Sequence, residues 1–368
     1  MSLPYSFAIC AFVLFQLPAR AGHYAFKREP LLKTSTIESW FQDPSKEPKT
    51  VEELLSRFPD VYRSHFSLMY ESQSLHRATP DYPRIIFFGP DARLMAGIST
   101  DPEDPRRNVV EMIEFEPGPA KYSFHEIEFG NARPKYTHAP ARCQNCHGND
   151  GRPNWEPYDA WPGAYGSVHD TMAWKTYENS LFTNFLTTYL QEPRFQSLPK
   201  SFVMTQQTLG GDPTYYTASR GEGLNSAFSL LVSFGNRERL ARIMVQSKAH
   251  ARYRYAITAA LIGCVNPIAS FLPADLRANH PRSFDEVLTE TRNLMEKDLE
   301  RRVARTAKLQ KIEDLETFAS QIDRYGLREK EIIRTAKLRY LFENRSNGKI
   351  LMDRWPLSLY RDSYNFND

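Results

Sequence analysis

The sequence predicts an α+β fold, in which a small region of antiparallel β-sheet is followed by a larger helical region, with a loop between them. Two β-hairpin patterns occupy Phe66 to Phe129, and apolar residues recur at helical spacing after Met172. Hydrophobic residues make up 41% of the 368 and aromatic residues 13%, which is typical of a chain that folds around a core.

The N-terminus has the pattern of a secretion signal. A short apolar run from Tyr5 to Leu17 precedes Ala19-Arg20-Ala21, which is an A-x-A cleavage pattern, although the first four residues contain no lysine or arginine. We expect residues 1–21 to be a signal peptide, a mature chain that begins at Gly22, and a periplasmic location. The mature chain then contains three cysteines, of which at most two can pair.

Residues 22–135 form the predicted N-terminal α+β region. After an irregular lead-in, Thr50-Val51-Glu52-Glu53 has the pattern of a capping box and opens a short helix that ends near Phe58. One predicted hairpin turns at Gly89-Pro90-Asp91 and a second at Pro117-Gly118-Pro119. Together with the run from Ser67 to Tyr70, they predict a sheet of four or five strands.

Residues 136–275 form the second predicted region, which turns helical after the loop, and residues 276–368 form a third region of amphipathic helices. The predicted helices are 172–190, 224–235, 237–262, 284–309 and 312–344. Ser283 to Glu286 again has capping-box chemistry.

Charge and hydropathy argue against two classes of protein, nucleic-acid binders and membrane-spanning proteins. The chain has 47 basic and 44 acidic residues and a net charge of +3, which does not suggest a nucleic-acid binder. The uncharged stretch from Tyr255 to Leu272 is shorter than the roughly 20 apolar residues that a membrane-spanning helix needs, and it contains Pro267. We therefore expect a buried helix there and no membrane span after signal removal.

One motif carries clear chemistry. Cys143-Gln144-Asn145-Cys146-His147 is a C-x-x-C-H sequence, the attachment signature of c-type haem. The two thiols can add to the two vinyl groups at one edge of the porphyrin, and the histidine that follows can be the proximal ligand of the iron.

The motif resembles that of the c-type cytochromes, and the resemblance covers Cys143, Cys146 and His147, with Gly148 as a common continuation. The rest of the chain resembles no characterised family; its context is similar to that of exported haem proteins of Gram-negative bacteria. The resemblance implies one covalent haem c, with iron bound by His147.

Three other interpretations of the cysteines remain open. A redox-active dithiol would sit in a βαβ unit, which the flanking residues do not suggest. A zinc site would need further ligands, for which His138 and His169 are the nearest candidates. A disulfide between Cys143 and Cys146 would close a small ring. Cys264 lies among apolar residues and reads as a buried thiol.

The segment after the motif, residues 152–166, contains four large aromatic residues and three prolines. Rigid aromatic side chains are suited to covering a flat apolar cofactor, so we expect Trp155 and Trp161 to contact the haem, with ordinary loop packing as the alternative. Arg152 is a candidate partner of a haem propionate.

The sixth ligand of the iron is not fixed by the sequence. Met204, downstream near Pro199, is the choice that the resemblance implies, and His169 would give two histidine ligands. Met172, His125 and His138 lie within reach as well, and an open or water-bound iron is a further alternative.

Two functions follow from these observations. The first is electron transfer to or from a redox partner protein, for which the six basic residues between Arg237 and Arg254 could form a docking face, or simply a solvated helix face. The second is a haem-dependent enzyme or a haem-based gas or redox sensor, which would explain the chain's size. The oligomeric state is not predicted.

Overall fold

The structure is a computed structural model, and its contacts divide the chain into two units, Met1–Leu31 and Leu32–Asp368. It describes residues 31–72, 74–130, 133–147, 151, 153, 163–165, 171–173, 177–189, 192–195, 205–209, 212–217, 228, 231–232, 234–235, 238–239, 241–242, 245–246, 250–261, 266–278, 282–309, 311, 313 and 329–342. The predicted signal peptide lies outside these residues.

Three short helices begin the second unit: α1 (Thr34–Ser39), α2 (Val51–Ser56) and α3 (Asp60–Ser64). The N-cap predicted at Thr50 is confirmed, but the Glu53 side chain accepts from the Lys49 N–H and not from the Thr50 N–H that a capping box uses. The Glu53 N–H donates to Thr50 Oγ1 at 3.1 Å, and the Lys49 N–H donates to Glu53 Oε2 at 2.7 Å. These bonds satisfy backbone donors that have no partner inside the helix, so the local sequence fixes where α2 begins.

The first sheet has six antiparallel strands in sequence order: β1 (Phe66–Met69), β2 (Arg84–Phe88), β3 (Leu94–Ile98), β4 (Val109–Glu116), β5 (Lys121–Glu128) and β6 (Lys135–His138). The α+β class and both predicted hairpins are confirmed. The additional strand is β6, which is short and polar.

Both faces of this sheet are covered, and we name them by their cores. The helix-covered face packs against α1–α3. Its buried side chains include Leu54 from α2, Phe58 between α2 and α3, and Ile85, Phe87 and Ile127 from the strands. The motif-side face carries a second core with Phe88, Met95 and Phe115 from the strands, and with Phe228 and Val232 beyond the sheet. Burial on both faces explains why β5 alternates only partly between apolar and polar residues.

The motif itself is helical, in α4 (Ala141–His147), rather than in the loop that the sequence predicts. A second sheet follows, with strand order β7-β9-β8, where β7 is Thr171–Ala173, β8 is Thr205–Leu209 and β9 is Asp212–Thr217. The predicted helix over 172–190 is therefore partly wrong. It is replaced by β7, by α5 (Tyr177–Asn184) and by a π-helix (Phe185–Tyr189).

The remaining helices are α6 (His250–Leu261), α7 (Ala274–Ala278), α8 (Phe284–Leu309) and α9 (Glu329–Phe342), with a 3₁₀ turn at Ile268–Phe271. The described residues between 228 and 246 are also helical. The capping box before α8 is confirmed, because the Ser283 and Glu286 N–H groups each donate to the other's side chain. No described helix has the length and apolar character needed to cross a membrane.

Candidate functional site

The helix α4 begins where β6 leaves the sheet. The Ala139 N–H donates to the Phe124 carbonyl at 2.8 Å, and the chain then turns through a left-handed backbone conformation, with a φ of 43° at Ala139. Pro140 follows, and the Cys143 N–H donates to its carbonyl at 2.9 Å. Proline favours the first turn of a helix because it has no N–H group to leave unsatisfied. The motif is therefore helical from its first cysteine.

Helical geometry places the side chains of Cys143 and His147 on one side of α4. Residues three and four positions apart lie above one another on a helix, so position 147, and along the backbone position 146, share a side with Cys143. The side chains of Cys143 and His147 are half-buried, whereas Gln144 between them is exposed. The side chain of Cys146 lies outside the described residues.

That side of α4 meets the motif-side face of the sheet. The rings of Phe124 and His147 have centroids 4.6 Å apart and an interplanar angle of 39°. Phe124 is half-buried and stands directly opposite Ile113, which is also half-buried. The same row continues across the sheet through Met95 to Phe88. An apolar row on four strands thus ends beneath the motif histidine.

The helix is also tied to the sheet by an ion pair at its first turn. Glu126 lies two residues beyond Phe124 on β5 and has only 2% of its side chain exposed. Its carboxylate accepts from Arg142 Nε at 2.9 Å and from Arg142 Nη2, a two-point contact. It also accepts from Arg106 Nη2 at 2.7 Å. Arg142, at the start of α4, contacts Glu126, whereas His147, at its end, contacts Phe124, which precedes Glu126 on β5. The helix α4 therefore runs antiparallel to β5 and is held near both ends.

The ion pair belongs to a longer chain of charges on the same face. Arg106 also donates to Glu111 at 3.1 Å, and Glu111 accepts from Arg84 at 3.0 Å. Glu111 and Glu126 stand directly opposite each other on β4 and β5, where two like charges repel. Arg106 contacts both carboxylates, so it offsets that repulsion.

His76 adjoins the far end of this chain. Its Nδ1 lies 3.6 Å from Glu111 Oε2, too far for a hydrogen bond, and its side chain is fully buried. Burial lowers the pKa of His76 to about 4, so the ring is neutral at pH 7. Burial alone would raise the pKa of Glu111, but Arg84, His76 and Arg106 together hold it below its ordinary value.

Two histidines that the sequence offered as iron or zinc ligands lie on the other face of the sheet. His125 is held between Ser123 Oγ at 3.0 Å and the Tyr136 hydroxyl at 3.1 Å. His138 contacts Glu38 at 2.8 Å. Because successive residues of a strand point to opposite faces, His125 cannot share a face with Phe124 and His147. The structure does not bring these two histidines to the motif.

The segment after the motif is described only in part. A side chain at Gly151 would collide with the Phe124 ring, so the backbone passes close to that ring. Farther on, Tyr165 is buried with Tyr70 and Phe182 in the core of the helix-covered face. The other proposed site residues, Arg152, Trp155, Trp161, His169, Met204 and Cys264, lie outside the described residues, as does the side chain of Met172.

The basic segment between Arg237 and Arg254 has less unpaired charge than its sequence suggests. Arg239 is buried, and Arg242 is bound to Glu238 at 2.8 Å. Glu238 also contacts Arg93 from the first sheet at 3.2 Å. At these positions the arginines serve packing and intrachain ion pairs.

Sequence reasoning missed Phe124, Glu126 and Arg106 as neighbours of the motif. The only available signal was that Phe124 and Glu126 are two positions apart on a predicted strand and so share a face. Within the part of the chain that the structure describes, no group of three or more His, Cys, Asp or Glu side chains is arranged to hold a metal ion. No protein-family model, curated protein or solved structure matches the chain.

Proposed function

We propose that the chain is a c-type haem protein, with one haem held covalently by Cys143 and Cys146 and with His147 as the proximal ligand of the iron. The observation that carries the proposal is that C-x-x-C-H occupies one helix, in which positions 143, 146 and 147 share one side of the backbone. Both vinyl groups and the iron must be reached from one side of the attachment segment, which this spacing allows.

The surroundings of the motif fit a porphyrin. Such a group is large, flat and apolar, so it needs apolar side chains beside the histidine that binds it. Phe124 and Ile113 meet this need, because Phe124 is half-buried and contacts the His147 ring, and the half-buried Ile113 stands directly opposite Phe124. Trp155 and Trp161 are proposed as further wall residues, and Arg152 as a propionate partner.

Electron transfer is the function that we propose for the bound group. A haem c supplies a one-electron couple between ferric and ferrous iron. The sequence contains a single C-x-x-C-H, which suits a one-electron carrier that works with a redox partner protein. We further propose that residues 1–21 direct export to the periplasm, where haem attachment of this kind would take place.

The attachment is tested by expression in a bacterial host with intact c-haem maturation. The periplasmic protein should keep its haem stain on a denaturing gel, because thioether bonds survive denaturation. Cys143→Ala and Cys146→Ala should greatly reduce the stain, and Cys264→Ala is the matched control that should keep it. A colourless wild-type protein, or equal staining of all three variants, would contradict the proposal.

The iron ligands are tested by absorption spectra of the same preparations. His147→Ala should abolish the native Soret, α and β bands, whereas His138→Ala, on the other face, should leave them unchanged. Met204→Ala should remove the weak charge-transfer band of an iron–methionine bond. An unchanged spectrum would show that Met204 is not the sixth ligand, and His169→Ala would then be measured in the same way.

Carbon monoxide separates electron transfer from the alternatives. A six-coordinate, low-spin haem that does not bind carbon monoxide supports an electron carrier. High-spin iron that binds carbon monoxide or nitric oxide would support a haem enzyme or a gas sensor instead.

A further inference from the structure

The first turn of α4 is held by an ion pair between Arg142, whose side chain is 44% exposed, and the buried carboxylate of Glu126. The burial of that carboxylate has a cost that needs a reason. Moving a carboxylate out of water is costly, and an ion pair made by a buried carboxylate often contributes no more stability than apolar side chains of the same size. Glu126 has 2% of its side chain exposed, and it stands opposite a second carboxylate, Glu111. An apolar contact would hold a helix on a sheet with less desolvation.

The position of the pair suggests the reason. Arg142 is bonded to Cys143, the first attachment residue, and Glu126 lies two residues along β5 from Phe124, whose ring contacts His147. Two residues of a strand span only about 7 Å. A carboxylate and a guanidinium are therefore fixed close to whatever the motif holds, and burial of the carboxylate limits screening by salt.

We infer that the Glu126–Arg142 pair sets the reduction potential of the iron while it fixes the attachment helix on β5. This inference rests on the proposed haem attachment. Ferric haem carries one more positive charge than ferrous haem, so a nearby carboxylate favours the ferric state and a nearby guanidinium favours the ferrous state. In the intact pair, the effect of Glu126 on the reduction potential offsets that of Arg142. Removal of either charge leaves the effect of the other without its counterpart.

The test is a potentiometric titration of the purified holoprotein, followed by absorption, for the wild type and three variants. Glu126→Gln removes a negative charge and should raise the potential. Arg142→Gln removes a positive charge and should lower it. The double variant should return toward the wild-type value. Glu128→Gln makes the same charge change as Glu126→Gln two residues farther along the strand, so it is the matched control and should shift the potential less.

The opposite signs separate an electrostatic role from a structural one. If the pair only fastened the helix, either substitution would loosen α4 and admit water to the haem, and both single variants would move the potential in the same direction. That outcome, or two unchanged potentials, would overturn the inference. If Glu126→Gln does not fold, the test compares Arg142→Lys with Arg142→Gln. Lysine keeps the positive charge and should keep the wild-type potential, whereas glutamine should lower it.

The wild-type protein separates this inference from the proposed function. If it carries no covalent haem, the proposed function fails and the inference falls with it. If it carries haem but the two single variants do not shift the potential in opposite directions, the inference alone fails.

Discussion

The imidazole of His147 rests against the ring of Phe124, with 4.6 Å between the centroids. The last residue of the C-x-x-C-H motif is thus placed by a side chain from the middle of a β-strand. Phe124 in turn closes an apolar row that crosses four strands from Phe88. The orientation of the proposed iron ligand therefore depends on the register of the sheet.

The first prediction concerns this contact. Phe124→Leu keeps an apolar side chain but removes the ring face that limits rotation of the imidazole. We expect covalent haem to be retained and the g-values in the electron paramagnetic resonance spectrum of the ferric protein to change. Phe115→Leu is the matched control, because Phe115 is buried in the same core and pairs with Tyr122 instead. Unchanged g-values in Phe124→Leu would show that Phe124 does not orient the ligand.

The second prediction concerns Gly97, in the middle of β3. A Cβ at this position would collide with the guanidinium of Arg84, which crosses the strand on its way to Glu111. The colliding atoms are the end of a flexible side chain, so Gly97→Ala should displace the guanidinium from Glu111 and lower the free energy of unfolding by about 1 kcal/mol, the contribution of one hydrogen bond. Chemical denaturation measures the loss. The same substitution made in an Arg84→Ala background should cost less, and an equal cost in both backgrounds would rule out the collision as its cause.

The third prediction concerns acid. Burial lowers the pKa of His76 to about 4, below the 6.5 of an unfolded chain. Between these values the unfolded chain binds the additional proton, so the stabilisation is complete above pH 6.5 and is lost as the pH falls toward 4. From pH 7 to pH 5, His76 alone should remove roughly 2 kcal/mol of stability. Denaturation of His76→Gln should show a smaller loss over this interval; parallel curves would contradict the assignment.

Elements with strong local signals could be predicted from the sequence. The helix α8 has the predicted bounds because a capping box starts it and apolar residues keep a helical period along it. The two hairpins were recognisable from their turn residues. In each case the interactions that define the element lie within a few residues of one another.

Elements that depend on distant partners could not be predicted. Met172 and Ala173 have helical neighbours in sequence, but they form a strand because they pair with Tyr216 and Tyr215. The same reason applies at the site, where the charge chain joins residues that are far apart in sequence. Only the register of β4 and β5 brings Glu111 opposite Glu126, and no local pattern reports that register.

The last prediction divides the aromatic segment after the motif. We expect Trp155 and Trp161 to cover the haem, whereas Tyr165, 5% exposed, lies in the core of the helix-covered face and donates from its hydroxyl to the Pro80 carbonyl at 2.9 Å. Tyr165→Ala should therefore cost about 3–5 kcal/mol of stability, as loss of a buried aromatic ring does, and leave the haem spectrum unchanged. Tyr165→Phe should cost only about 1 kcal/mol, the contribution of one hydrogen bond.

Trp155→Ala and Trp161→Ala should instead alter the Soret band. They should also reduce the stability that haem adds to the protein, measured as the difference between the melting temperatures with and without covalent haem. If both tryptophan variants keep the wild-type Soret band and melting-temperature difference, the segment is ordinary packing, and the proposed site reduces to Cys143, Cys146 and His147 with the sheet residues beneath them.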